Sequence, residues 1–150
     1  MIKHVAAVSG AAPGGHLVLG LVHPAPAIKD VCLAELDPAN SLRATRTACG
    51  LALRVDNDAP VSPDGHWLAA TAADGAVALL DLTTVFQRPA VAARWVADRP
   101  GVWTDATTMV EIVSGRLHRV DVRGGTAVPL EVPGLPAGAL FTLVPRVEPG

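Results

Sequence analysis

Two cysteines, two histidines in matching places and a recurring set of aspartates are the residues with chemistry to offer in this 150-residue chain. Cys32 and Cys49 flank the turn Asp37-Pro38-Ala39-Asn40-Ser41. A hairpin that pivots between Asn40 and Ser41 pairs residues whose numbers sum to 81, as those of the two cysteines do. Directly opposite positions on antiparallel strands lie within disulfide reach. The other reading is a pair of buried thiols acting as small hydrophobes. His16 and His66 both follow a turn glycine, in Gly15-His16-Leu17-Val18 and Gly65-His66-Trp67-Leu68. A metal site needs further ligands close by, and the chain has neither His-x-His nor Glu-x-x-His spacing. The two histidines, with Trp103, therefore read as polar and aromatic groups at a rim, available to a partner.

The aspartates fall into sets. Asp64 and Asp105 occupy equivalent turns, and Asp37, Asp81 and Asp121 close equivalent apolar runs. Such recurrence argues for hydrogen bonding to turn amides, which short acidic side chains do well, and against catalysis. Asp56-Asn57-Asp58 puts three oxygen donors together, which suits calcium, but it lacks the alternation and the glycine of an EF-hand loop. A solvated loop is the expectation there. Trp67, Trp95 and Trp103 supply most of the aromatic content and read as packing groups. No nucleophile elbow, phosphate loop or Ser/His/Asp arrangement is legible. Gly14-Gly15 and Gly124-Gly125 are turn glycines. The sequence thus names no catalytic residue, no cofactor and no metal.

The elements that position these residues are clearest between Val61 and Leu82. Ser62-Pro63-Asp64-Gly65 reverses the chain, with Pro at a fixed φ and Gly where a left-handed residue is tolerated. Trp67 to Ala72 and Ala76 to Leu82 are apolar runs joined by the hairpin turn Asp74-Gly75. Both are apolar on consecutive positions, which suits strands covered on both faces by neighbouring sheets. The same grammar recurs. Gly15-His16 stands 50 residues before Gly65-His66, and Asp37, Asp81 and Asp121 follow at intervals of 44 and 40. Val102-Trp103-Thr104-Asp105 matches Val61-Ser62-Pro63-Asp64, followed by strands Met109 to Val113 and Leu117 to Val122 around Ser114-Gly115. Periods of 40 to 50 residues are those of stacked β-sheet repeats.

Ser-Pro-Asp-Gly, an apolar strand, Ala-Asp-Gly and a strand ending Leu-Asp-Leu resemble one repeat of the WD-repeat and TolB-like β-propellers, over Val61 to Leu82. That family has an aromatic residue two places before the terminal Asp-Leu, where this chain has Leu79. The resemblance implies an all-β, propeller-like fold of about three four-stranded antiparallel blades, with a β-sandwich or barrel as the alternative. The units fall near residues 1–53, 54–97 and 98–134, and 135–150 starts a fourth blade. Inner strands are expected at Ile2 to Val8, at Val61, at Val102 and at Leu140 to Val147. Outer strands are expected over Leu42 to Leu53, Ala90 to Val96 and Thr126 to Val132. Thr83 to Gln87 makes at most one helical turn.

Half the residues are apolar, yet only three Trp and two Phe are aromatic, so Ala, Val and Leu must fill the interior. The net charge of −2 leaves no basic stripe for nucleic acid. Neither a signal peptide nor a membrane span is legible. A cytoplasmic location follows, or an extracytoplasmic one if the cysteines are oxidised. Propellers close with four to eight blades. Three therefore call for a second copy of the chain or for the rest of a larger one. The resemblance implies a non-catalytic module for protein–protein interaction. The alternative is a ligand-sensing or lactonase- and lyase-like propeller that binds a small molecule at its channel.

Overall fold

The structure, a computed structural model, describes residues 4–11, 18–23, 30–55, 59–134 and 143, with side chains described from residue 18 onward. The strands are β1 (His4–Ala11), β2 (Val18–His23), β3 (Cys32–Asp37), β4 (Arg43–Ala48), β5 (Trp67–Thr71), β6 (Val77–Asp81), β7 (Ala93–Trp95), β8 (Val102–Trp103), β9 (Thr108–Val113), β10 (Arg116–Asp121) and β11 (Thr126–Pro129). One 3-10 turn, Pro38–Asn40, is added, and the described residues contain no α-helix. The strands form three antiparallel sheets, β1-β2-β3-β4, β5-β6-β7 and β8-β9-β10-β11, each laid out in chain order. The expected all-β class is what is found, with no closed barrel.

Turn chemistry sets the hairpins. Ser114 and Gly115 both take positive φ, 49° and 76°, the two-residue turn whose twist matches the strands it joins. Asp98 accepts from both turn amides, at 2.9 Å from Ser114 and 3.3 Å from Gly115, which offsets the strain of a left-handed serine. Between β5 and β6 the Asp74 carboxylate accepts from the Ala76 amide at 3.1 Å. The segment after β6 makes a short helical turn, with Val85 N–H donating to Asp81 O and Arg88 N–H to Thr84 O, both at 2.8 Å.

Several strands differ from their expected extent. The second sheet has three full strands, and the strand expected at Val61 is reduced to a single bridge between Val61 and Leu68. Pro60 and Pro63 bracket that bridge and cannot donate to a ladder. The first outer strand ends at Ala48, short of Leu53. Gly50 and Ala52 take positive φ and turn the chain away, and Leu53 bridges Ala72 beside the second sheet. The other outer strands shrink to Ala93–Trp95 and Thr126–Pro129. The expected strand over 140–147 lies outside the described residues, apart from Leu143.

The second sheet is buried on both faces, as its consecutive apolar positions require. Leu68, Ala70, Ala78 and Leu80 pack against Leu19, Leu21 and Leu33 of the first sheet. Ala69, Val77, Leu79 and Trp95 pack against Met109, Val120 and Val122 of the third. The residue before each strand-closing aspartate shows the sense of stacking. Leu80 faces the preceding sheet and so does Val120, while Leu36 joins Val22, Cys32 and Ala34 on the far face of the first sheet. All three sheets therefore stack in the same sense. Along β9 and β10 the opposite face carries Val110, Ile112, Leu117 and Arg119. These are half-buried or exposed and belong to none of the three apolar clusters.

Candidate functional site

The strand-end aspartates are wired alike. Asp37, Asp81 and Asp121 each accept from the backbone amide two residues on, at 3.0, 2.9 and 3.0 Å. Asp64 and Asp105 do the same in their turns, to His66 at 3.1 Å and Thr107 at 2.8 Å. The turn role expected from their recurrence is the one observed. The amide of Thr107 is the main cause that holds Asp105 below the usual carboxylate range. For Asp64 the main cause is the Ser62 hydroxyl, 2.6 Å away.

Ser62, Asp64, His66 and Asp81 form a Ser/His/Asp neighbourhood, and its wiring is structural. The Ser62 hydroxyl donates to the Asp64 carboxylate and accepts from the Trp67 amide at 2.9 Å, so its proton is not directed to the His66 ring. His66 stacks on the Trp67 ring, with centroids 4.2 Å apart and planes 8° apart. Its Nε2 lies 3.1 Å from Asp81 Oδ1 but off the hydrogen-bond line. That oxygen already accepts from both the amide and the hydroxyl of Thr83. Burial raises the Asp81 carboxyl most, yet the Thr83 hydroxyl and amide, with His66, outweigh it and hold it low.

Trp103 is half-buried, and its indole donates to Pro60 O at 3.1 Å, tying β8 of the third sheet to the segment before the second. Packing thus engages both Trp103 and His66, the first against Pro60 and the second against the Trp67 ring. His16 and the triplet Asp56-Asn57-Asp58 lie outside the described residues.

Cys32 and Cys49 are bonded, with Cα atoms 4.4 Å apart. Leu33 pairs with Ala48 and Glu35 with Arg46, so the pivot inferred from the turn holds at this end of the hairpin. Nearer the turn the register shifts by one at Thr45, whose hydroxyl donates to the Glu35 carbonyl at 3.2 Å and to Glu35 Oε1 at 3.1 Å. Asp30 and the two sulfurs lie within 4.8 Å of one another. Bonded sulfurs offer no thiolate to a metal. Asp30 itself accepts from the Gly50 amide at 2.8 Å.

Two buried carboxylates stand outside the sequence-derived set. Glu35, 4% exposed, takes two bonds from the Arg46 guanidinium, at 3.0 and 2.7 Å. Arg46 in turn lies over the Phe86 ring, 4.5 Å from its centroid. The Arg46 hydrogen bond is the main cause that lowers the Glu35 carboxyl, against the opposing effect of burial. Glu111 is fully buried between the second and third sheets and accepts from the Trp95 indole at 2.6 Å. Its signal in the sequence is slight: an acid at an inward position between Met109 and Val113. Comparison with known proteins matches this chain to no family model and to no curated protein.

Proposed function

We propose that the chain is a non-catalytic interaction module made of β-propeller-type blades, and that a second copy of the chain completes its ring. One observation carries this reading: three meandering sheets stack in a single sense and, among the described residues, leave Val110, Ile112 and Leu117 without a neighbouring sheet. In the second sheet the face in that place, with Val77 and Leu79, is covered by the third. Two copies related by a two-fold axis bring six sheets, within the range that closes. Obligate contact of this kind buries more than roughly 1,200 Å² in total and is mainly apolar. The ligand-binding alternative draws less support. The inner positions of the second and third sheets offer Val61, Ser62, Val102 and Trp103, and the polar atoms of Ser62 and Trp103 are already bonded within the chain.

The closed Cys32–Cys49 bond supports the extracytoplasmic alternative over the cytoplasmic one, since reducing compartments keep such pairs open. No helix among the described residues is long and apolar enough to cross a membrane. Light scattering on the purified chain tests the assembly. A dimer or a higher closed oligomer supports the proposal, aggregation points to a piece of a larger ring, and a stable monomer overturns it.

A further inference from the structure

Glu111 has a task that turn capping and packing do not explain. It lies on β9 between Met109 and Val113, facing Trp95 across the junction of the second and third sheets. Its exposure is 0%, Oε2 accepts from the Trp95 indole, and Oε1 has no hydrogen-bond partner. Gly101 closes the site from the side. A β-carbon at that residue would stand 2.6 Å from Glu111 Cγ and 1.9 Å from Val110 O, so only a glycine backbone fits there.

The charged groups on the elements around the site do not figure among the influences on the Glu111 carboxyl. On β7, Arg94 pairs with Asp74. In the loop before β8, Asp98 is taken by the amides of Ser114 and Gly115. On β10, His118 stands opposite Glu111 in register, and its Nδ1 meets Arg116 O at 3.1 Å. The remaining charged groups are Arg116, opposite Val113 on β10, and Arg99 in the loop before β8. Burial is the main influence on the carboxyl, and the Trp95 indole and Gly101 amide oppose it in part. No ionic partner enters. An ionised carboxylate without a partner in an apolar seam is costly, whereas a neutral acid is tolerated.

We propose that Glu111 is held as a neutral acid in the closed seam, and that its loss of a proton loosens the contact between the second and third sheets, making this junction a pH-sensitive joint in the stack. Burial raises the group from its ordinary 4.5 to about 7. The sign follows from linkage. An open seam exposes an acid that ionises from about pH 4.5, while the closed seam keeps the proton to about pH 7. Closure is therefore fully favoured below the lower value, weakens up to tenfold per pH unit between the two, and levels off above the upper one.

Amide hydrogen exchange of the oligomer or monomer as purified, corrected for intrinsic rates, reads this directly. Between pH 5 and pH 7 the opening of β9 and β7 should rise by up to about a hundredfold relative to β2 and β3. Glu111→Gln keeps the shape and accepts from the same indole, and it should abolish the rise. His118→Gln should leave it in place, which separates Glu111 from the histidine opposite, a residue type that ordinarily titrates in the same window. A rise that survives E111Q, or that vanishes in H118Q, overturns the proposal, as does a wild-type profile with no rise. Should E111Q fail to fold, a carbon-13 titration of the wild-type Glu111 carboxyl decides instead: a neutral acid at pH 6 supports the joint, and an ionised one overturns it.

Discussion

Single groups in this chain matter according to whether water can reach them. Hydrogen-bond donors hold Asp81 and Glu35 low whereas burial raises Glu111, so the two kinds of acid move stability in opposite directions with pH. Asp81, held low by Thr83 and His66, stabilises the fold above its ordinary value near 4, and that contribution fades as pH falls through its lowered one. Glu111, raised to about 7, stabilises below 4.5, and that contribution is lost as pH rises toward 7. Urea unfolding across the pH range should therefore show greatest stability near about pH 5, with a decline toward neutrality of at most about 3 kcal/mol. In E111Q the alkaline side of that optimum should flatten. Glycines divide in the same way. Gly101→Ala drives a β-carbon into the backbone of β9 and should cost about 3 kcal/mol. Gly115→Ala meets no atom and bears only the strain of its positive φ, about 1 kcal/mol. Thermal melts of the two variants will show whether that order holds.

Between elements, one covalent link and one ionic cluster hold the first sheet. The disulfide joins β3 to the end of β4 across 17 residues, and loss of such a link costs on the order of 3 kcal/mol. Alkylation followed by mass spectrometry should label neither cysteine without reductant and both with it, and reduction should lower the melting temperature. Glu35 and Arg46 face the seam with the second sheet beside Phe86. Arg46→Met strands a buried acid and should cost about 2 kcal/mol, a figure reduced because Arg46 is itself 43% exposed. Adding Glu35→Gln removes the stranded charge. The double variant should regain most of the loss at neutral pH, and a double-mutant cycle on urea midpoints measures the recovery.

For the molecule as a whole, the question is what covers the third sheet. Ile112 and Leu117 are cross-strand partners on the face that no described sheet covers. Aspartate at both positions leaves the internal clusters intact and places charge where the proposed partner copy would pack. Light scattering should report the wild-type chain as a closed oligomer and I112D/L117D as a monomer, with the melting transition retained. If the wild-type chain and the double variant run at the same mass, that face is not the interface.

What the turns decide was legible in the sequence, because it depends on backbone geometry and nearby hydrogen bonds. Ser62-Pro63-Asp64-Gly65, Asp74-Gly75 and Ser114-Gly115 turn where their chemistry demands, and each strand-closing aspartate caps the amide two residues on. The cysteine register followed from the turn between them. Apolar residues on consecutive positions of β5 and β6 announced a sheet covered on both sides. The rest is set by parts distant in the chain. The bulge at Thr45 comes where its hydroxyl meets the Glu35 side chain on the facing strand. Leu53 leaves its expected strand for a bridge to Ala72. Glu111 reads as an ordinary strand acid until Trp95, 16 residues earlier on another sheet, and the backbone of Gly101 close over it. Turn chemistry is local and can be read along the chain, whereas burial belongs to the stack and exists only once the sheets have met.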